Sequence, residues 1–179
     1  AAECIEKSSN VGVSYFIDKF YYDQPEKFVD GLYRIGLAED LKLSIPGYAC
    51  PRIRRPMKNR ENWSKTALAW MSIGYETQVP PISTLAFYNG IANGGKMLRP
   101  RFVKSLMKNG EVVQEYPVTV VRERMCSPKT LNDIKMCLEL VVKKGTGKKV
   151  RSKNFRIAGK SGTAQIWTKA GRTSEYLVT

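Results

Sequence analysis

A chain of 179 residues is long enough for one ordinary domain with its own core, and not clearly enough for two. Apolar residues make up 42%, which argues against wholesale disorder, and no run approaches the roughly 20 apolar residues of a membrane span. Lys and Arg number 30 against 16 Asp and Glu, a formal charge of +14, so the surface should attract anionic lipid, anionic polymers or nucleic acid.

The charge is uneven. No acid lies between Leu41 and Arg60, where Arg52, Arg54, Arg55, Lys58 and Arg60 cluster. From Lys143 to Lys160 there are eight basic residues and again no acid. No recognition-helix, zinc-finger or aromatic RNA-binding pattern accompanies these clusters, so nucleic acid is not an expected partner. The chain has no His, which excludes Ser-His-Asp and Cys-His catalysis within it and any His-ligated metal site. Cys4, Cys50, Cys126 and Cys137 show no C-x-x-C spacing and read as buried free thiols. The first residue is Ala1, and no basic-then-apolar leader follows it. The chain therefore reads as a piece of something longer.

Ala1–Lys7 reads as the tail of a helix, and Ser8-Ser9-Asn10 as a loop and N-cap. Val13, Phe16, Ile17, Phe20 and Tyr21 then mark an amphipathic helix. Asp23 and Glu26 form a D-x-x-E capping arrangement with Pro25 in the first turn. Phe28, Val29, Leu32 and Ile35 are the buried face that follows, and Gly36 is the stop. Residues 42–62 read as irregular, punctuated by Pro46-Gly47, Pro51 and Pro56. Trp63–Ile73 reads as partly helical. Pro80-Pro81 opens a helix that runs to Asn93-Gly94-Gly95 and is apolar nearly all round, so it is expected to be well buried. Asn109-Gly110 between Arg101–Lys108 and Glu111–Tyr116 is a hairpin signal, and Val118–Arg122 reads as a further short strand. Ser127-Pro128 caps a helix lined by Leu131, Ile134, Cys137, Leu138 and Val141. Gly145-Thr146-Gly147 reads as the flexible loop that closes it. Phe155–Ala158, Thr163–Trp167 and Tyr176–Val178 read as short strands, the last two joined through a Lys169–Thr173 turn.

Three local features are candidates to carry chemistry: Ser8-Ser9-Asn10, the stretch around Lys160, and the pair of glycine loops Asn93-Gly94-Gly95 and Gly145-Thr146-Gly147. Gly159-Lys160-Ser161-Gly162-Thr163 places a Lys and a Ser between glycines, followed by a Thr, beside a strand, where a ligand can approach the backbone. It is not a phosphate loop, because Asn154 stands where G-x-x-x-x-G-K-[ST] needs its first glycine. Ser8-Ser9-Asn10 supplies hydroxyl, hydroxyl and amide at a helix start. In chain order the two resemble the second and third boxes, S-x-N and K-[ST]-G, of the penicillin-binding-protein transpeptidase domain. Gly74-Tyr75-Glu76-Thr77-Gln78-Val79-Pro80-Pro81, Ile91-Ala92-Asn93-Gly94-Gly95, Arg99-Pro100 and Gly145-Thr146-Gly147 extend the resemblance over nearly the whole chain, most closely to the class B, septal type.

The resemblance implies an α+β fold, helix-rich with short antiparallel strands, of which residues 1–179 are a part truncated at both ends. It implies a D,D-transpeptidase that cross-links peptidoglycan stem peptides through a serine acyl-enzyme and is the target of β-lactams. Ser8 would shuttle a proton, Asn10 would hold the substrate amide, and Lys160 would polarise Ser8. Ser161 and Gly162 would shape the binding strand, and Thr163 would bind the substrate carboxylate and offer an oxyanion N–H. No metal or cofactor is implied. The parent would be anchored in the cytoplasmic membrane, by a segment outside this chain, with this region on its outer face beside other wall-synthesis proteins. The +14 charge would there favour anionic lipid or wall polymers.

The first box is missing. The one S-x-x-K match, Ser105-Leu106-Met107-Lys108, comes after the second box and in a predicted strand, where residues three apart face opposite ways. The chain is thus expected to lack its nucleophile, to be inactive alone, and to dimerise or aggregate through a sheet edge left open. A catalytically silent relative that serves as a binding or scaffolding module is the alternative.

Overall fold

The computed structural model describes residues 1–59, 61–168 and 171–178. Fourteen helices and strands follow in the order α1 (Ala2–Glu6), α2 (Asn10–Tyr21), α3 (Pro25–Arg34), β1 (Arg52–Ile53), α4 (Ala67–Ser72), β2 (Thr77–Gln78), α5 (Pro81–Ala92), β3 (Met97–Leu98), β4 (Ser105–Lys108), β5 (Glu111–Glu115), β6 (Val120–Arg122), α6 (Pro128–Lys143), β7 (Thr163–Thr168) and β8 (Gly171–Val178). A single 3₁₀ turn, Lys148–Val150, follows α6. The strands pair antiparallel in twos: β1 with β2, β3 with β6, β4 with β5, β7 with β8. This is the α+β arrangement expected, helix-rich with short antiparallel strands.

The chain divides into two compact units, Ala1–Val13 with Asn132–Thr179, and Ser14–Leu131. In the larger unit one core gathers Leu41, Ala86, Met97 and Met125, and a second gathers Val29, Ile53 and Met71. Burying a Leu, Val or Met side chain of this kind contributes about 1.5–3 kcal/mol relative to leaving it in water. In the smaller unit Cys137, Leu138, Val141 and Val142 form one buried stripe of α6.

Local signals explain most of these elements. Asn109 and Gly110 both take positive φ, 54° and 86°, as a two-residue type I′ hairpin requires, and β4 and β5 flank them. The α6 start is capped as expected, with the Thr130 N–H donating to Ser127 Oγ at 3.1 Å. Helix α5 ends at Asn93-Gly94-Gly95, where the Gly95 N–H reaches back to the Gly90 carbonyl at 2.8 Å.

Several expectations are corrected. Helix α5 is not buried all round: Ser83, Ala86 and Gly90 are buried, whereas Leu85 is 52% exposed. Two of its small residues, Ala86 and Gly90, lie against Met97 and Met125, and a Cβ at Gly90 would force the Met125 side chain to move. The α3 N-cap is Gln24, one position after Asp23, and it makes no side-chain capping bond. Phe155–Ala158 form no strand. That stretch is tied instead to α6, by Arg156 to Glu139 at 2.7 Å and by the neighbouring Gly159 N–H to the Leu138 carbonyl at 3.2 Å. The four thiols are free, but Cys50 is exposed rather than buried, and Cys4 and Cys126 are half-buried. Strand β8 begins at Gly171, earlier than expected. Arg60 of the basic cluster and Lys169, where the expected Lys169–Thr173 turn begins, lie outside the described residues.

Candidate functional site

Ser8 stands at the junction of two helices. Helix α1 closes in a Schellman pattern: the Ser9 N–H bonds to the Cys4 carbonyl at 2.8 Å and the Ser8 N–H to the Ile5 carbonyl at 3.2 Å. That pattern places Ser8 at the left-handed position usually given to glycine, and its φ is +54°. A side chain there costs on the order of 1–2 kcal/mol. Ser9 then starts α2, its Oγ accepting the Gly12 N–H at 3.1 Å. The three residues are therefore a helix stop and a helix start back to back. Ser9 is consumed by capping, Ser8 is held at a strained corner, and Asn10 is exposed on the first turn of α2.

Lys160 meets this corner. Its Nζ donates to Ser8 Oγ at 2.6 Å and to the Ser161 carbonyl at 2.8 Å. The two motifs, 152 positions apart, thus share one cluster within the smaller unit. Partial burial of the ammonium pulls the Lys160 pKa below the ordinary lysine range. Gly162 and Thr163 continue from Lys160 into β7, where Thr163 is exposed and pairs in register with Val178.

Sequence reasoning singled out a further contributor without its role. The Gly145-Thr146-Gly147 loop, read as flexible, is pinned. The Thr146 N–H bonds to the Glu6 carbonyl at 3.3 Å, and the Gly145 and Gly147 N–H groups bond to the Leu140 and Val141 carbonyls at 3.0 and 2.9 Å. The Thr146 and Ser161 hydroxyls are hydrogen-bonded at 3.0 Å. One loop thereby contacts both the end of α1, two residues before Ser8, and the residue after Lys160. The glycine-threonine-glycine string was visible in the sequence, but its partners were not. Ser105-Leu106-Met107-Lys108 lies in strand β4, as expected of it, and belongs to the larger unit.

A strained corner predicts its own trade-off. Ser8→Gly is expected to raise stability by about 1 kcal/mol in thermal unfolding, since glycine fits the left-handed position without a Cβ. The same change removes the hydroxyl that Lys160 contacts.

A helix-corner serine hydrogen-bonded to a lysine beside a strand brings a hydroxyl and an ammonium together, a pair that can pass a proton without histidine. The family model of the penicillin binding protein transpeptidase domain matches residues 1–178. The chain belongs to that family. Penicillin-binding protein PbpB of Mycolicibacterium smegmatis is 29% identical over 167 residues, 89% of this chain and 24% of that protein. The peptidoglycan D,D-transpeptidase FtsI of Escherichia coli is 29% identical over 174 residues, 97% of this chain and 26% of that protein. Among solved structures, the transpeptidase domain of Burkholderia pseudomallei penicillin-binding protein 3 superposes with a TM-score of 0.76 at 27% identity, over 99% of this chain and 49% of that one. Penicillin-binding protein 3 of Mycobacterium tuberculosis in complex with ampicillin gives a TM-score of 0.80 at 24% identity, over 99% of this chain and 40% of that one. The chain spans about a quarter of the length of the curated relatives it matches.

Proposed function

We propose that this chain is the part of a serine-type peptidoglycan D,D-transpeptidase that carries its S-x-N and K-S-G boxes. The observation that carries the reading is the 2.6 Å contact between Lys160 Nζ and Ser8 Oγ. The nucleophilic serine of an S-x-x-K helix comes from a part of the protein outside residues 1–179. Its oxygen attacks the penultimate D-Ala carbonyl of a stem peptide, the peptide bond breaks, and the terminal D-Ala leaves as the amine. Ser8, held by Lys160, relays the nucleophile's hydroxyl proton to the leaving nitrogen, so Ser8 ends the step as the hydroxyl it began as. The resulting ester is then opened by an amine of a second stem peptide, which restores the serine and forms the cross-link.

Asn10, exposed at the start of α2, binds the amide of the donor peptide. Ser161 and Gly162 shape the strand approach, and the Thr163 hydroxyl takes the terminal carboxylate while its N–H serves the oxyanion. β-Lactams enter by the same attack and remain as acyl adducts. The relatives named peptidoglycan D,D-transpeptidases favour a role in wall synthesis, on the outer face of the cytoplasmic membrane with the anchor beyond this chain. No helix among the described residues is long and apolar enough to cross a membrane.

Labelling with a fluorescent penicillin tests the reading. The intact protein is expected to form a gel-stable adduct, and residues 1–179 alone are expected to form none. An intact protein that takes no label would instead make this a silent module of the wall-synthesis machinery.

A further inference from the structure

The densest charge in the molecule surrounds the pinned loop. Lys143 and Lys144 precede Gly145-Thr146-Gly147, and Lys148, Lys149, Arg151 and Lys153 follow it. All six are exposed, and among the described residues none is in an ion pair. Six like charges within eleven positions repel one another, so the folded chain gains nothing from their proximity. Beside them is a cleft of about 270 Å³ whose lining includes Glu139, Lys143, Arg151, Ser152, Phe155 and Arg156. Phe155 is 74% exposed there, an aromatic face open to water between cationic rims. Arg156 is the one cation of the cleft already matched, to both oxygens of Glu139 at 2.7 and 2.8 Å.

We infer that this face docks an un-cross-linked glycan strand, the cations holding the free carboxylates of its stem peptides and Phe155 packing on the flat face of a sugar ring. The inference rests on the transpeptidase reading, because that reaction needs strands that carry many carboxylated stems. Charge complementarity selects the occupant's sign, and the cleft selects its shape. A sugar ring of such a strand can enter a concavity of this size, whereas a flat bilayer surface cannot. The face is also continuous with the candidate site. Thr146, between the two groups of lysines, is the residue that bonds to Ser161. A strand held there by neighbouring stems would raise the local concentration of the stem that reacts.

The test compares the intact protein with its K148E/K149E/R151E/K153E variant. The probes are soluble un-cross-linked glycan strands, the same strands with their carboxylates amidated, and vesicles of phosphatidylglycerol. Fluorescent-penicillin acylation is measured in parallel. The wild type is expected to bind unmodified strands at low salt and to release them as salt rises. The variant should bind them at least about tenfold more weakly, the combined effect of four exposed pairs. Amidated strands should bind as weakly to the wild type, and acylation should stay within about twofold. Equal strand binding by the variant, undiminished binding of amidated strands, or tighter binding to vesicles than to strands would overturn the inference. An unlabelled wild type would instead refute the transpeptidase reading, and the strand-binding comparison would still be read on its own.

Discussion

Lys160→Ala in the intact protein is expected to slow acylation by a β-lactam roughly 10²–10⁴-fold, the usual contribution of a positioned proton-transfer group. The geometry explains why a surface lysine loss would not do this. Lys160 Nζ is 2.6 Å from Ser8 Oγ and 2.8 Å from the Ser161 carbonyl, so one ammonium fixes the serine and the start of the strand together. Removing it leaves the Ser8 hydroxyl free to turn, at a corner whose φ of +54° was strained to display it. Lys160→Arg should recover little, because a planar guanidinium cannot replace a compact ammonium between two oxygens.

The pH profile gives the same argument a sign. As a donor to Ser8, Lys160 must be protonated, and partial burial lowers its pKa. Acylation should therefore fall as pH rises through that lowered value, before the ordinary lysine pKa of about 10.4 is reached. The limb should vanish from the residual activity of Lys160→Ala. Stopped-flow acylation across pH reads both effects.

Gly145→Ala is expected to cost about 1–3 kcal/mol and to reduce acylation as well. A Cβ at Gly145 would lie 2.1 Å from the Glu6 carbonyl oxygen and 2.9 Å from the carbonyl carbon. Both are backbone atoms and cannot rotate away. The loop must lift, or the end of α1 must shift. Either movement breaks the Thr146 N–H bond to Glu6 and disturbs Ser8 two residues on. Gly147→Ala is the control. Its Cβ would meet the Val141 carbonyl at 3.2 Å and the Val142 backbone and side chain at 3.3 Å, tight but accommodated by a few tenths of an ångström. Denaturant unfolding with acylation measured on the same samples should rank wild type, Gly147→Ala and Gly145→Ala in that order for both properties. Equal stability of all three would mean that the loop does not press on α1.

What the sequence made legible was local. Helices α2, α3, α4, α5 and α6 follow from apolar spacing and caps, and the β4–β5 hairpin follows from Asn109-Gly110. Strands β1, β2 and β3 are two residues each, too short for any periodicity, and they exist because a distant segment completes the ladder: Ile53 opposite Thr77, Met97 opposite Arg122. The candidate site divides the same way. Its two motifs stand in the sequence, and a resemblance assigns them roles. That Ser8 replaces glycine in a helix-stop pattern depends on φ, which serine does not announce. That Thr146 bridges Glu6 and Ser161 depends on partners 140 positions before it and 15 after it. Phe155–Ala158 had the composition of a strand but no neighbour to pair with, and the residues around it bonded to α6.

The central claim is that Ser8 and Lys160 handle the proton for a serine supplied from elsewhere in the protein. Peptide mapping by mass spectrometry of the penicillin-treated intact protein tests it most directly. The account predicts one adduct, on the serine of an S-x-x-K sequence outside residues 1–179, with Ser8 and Ser105 unmodified. An adduct on Ser8 would make it the nucleophile and contradict the role given to it here. An adduct on Ser105 would contradict the reading of β4.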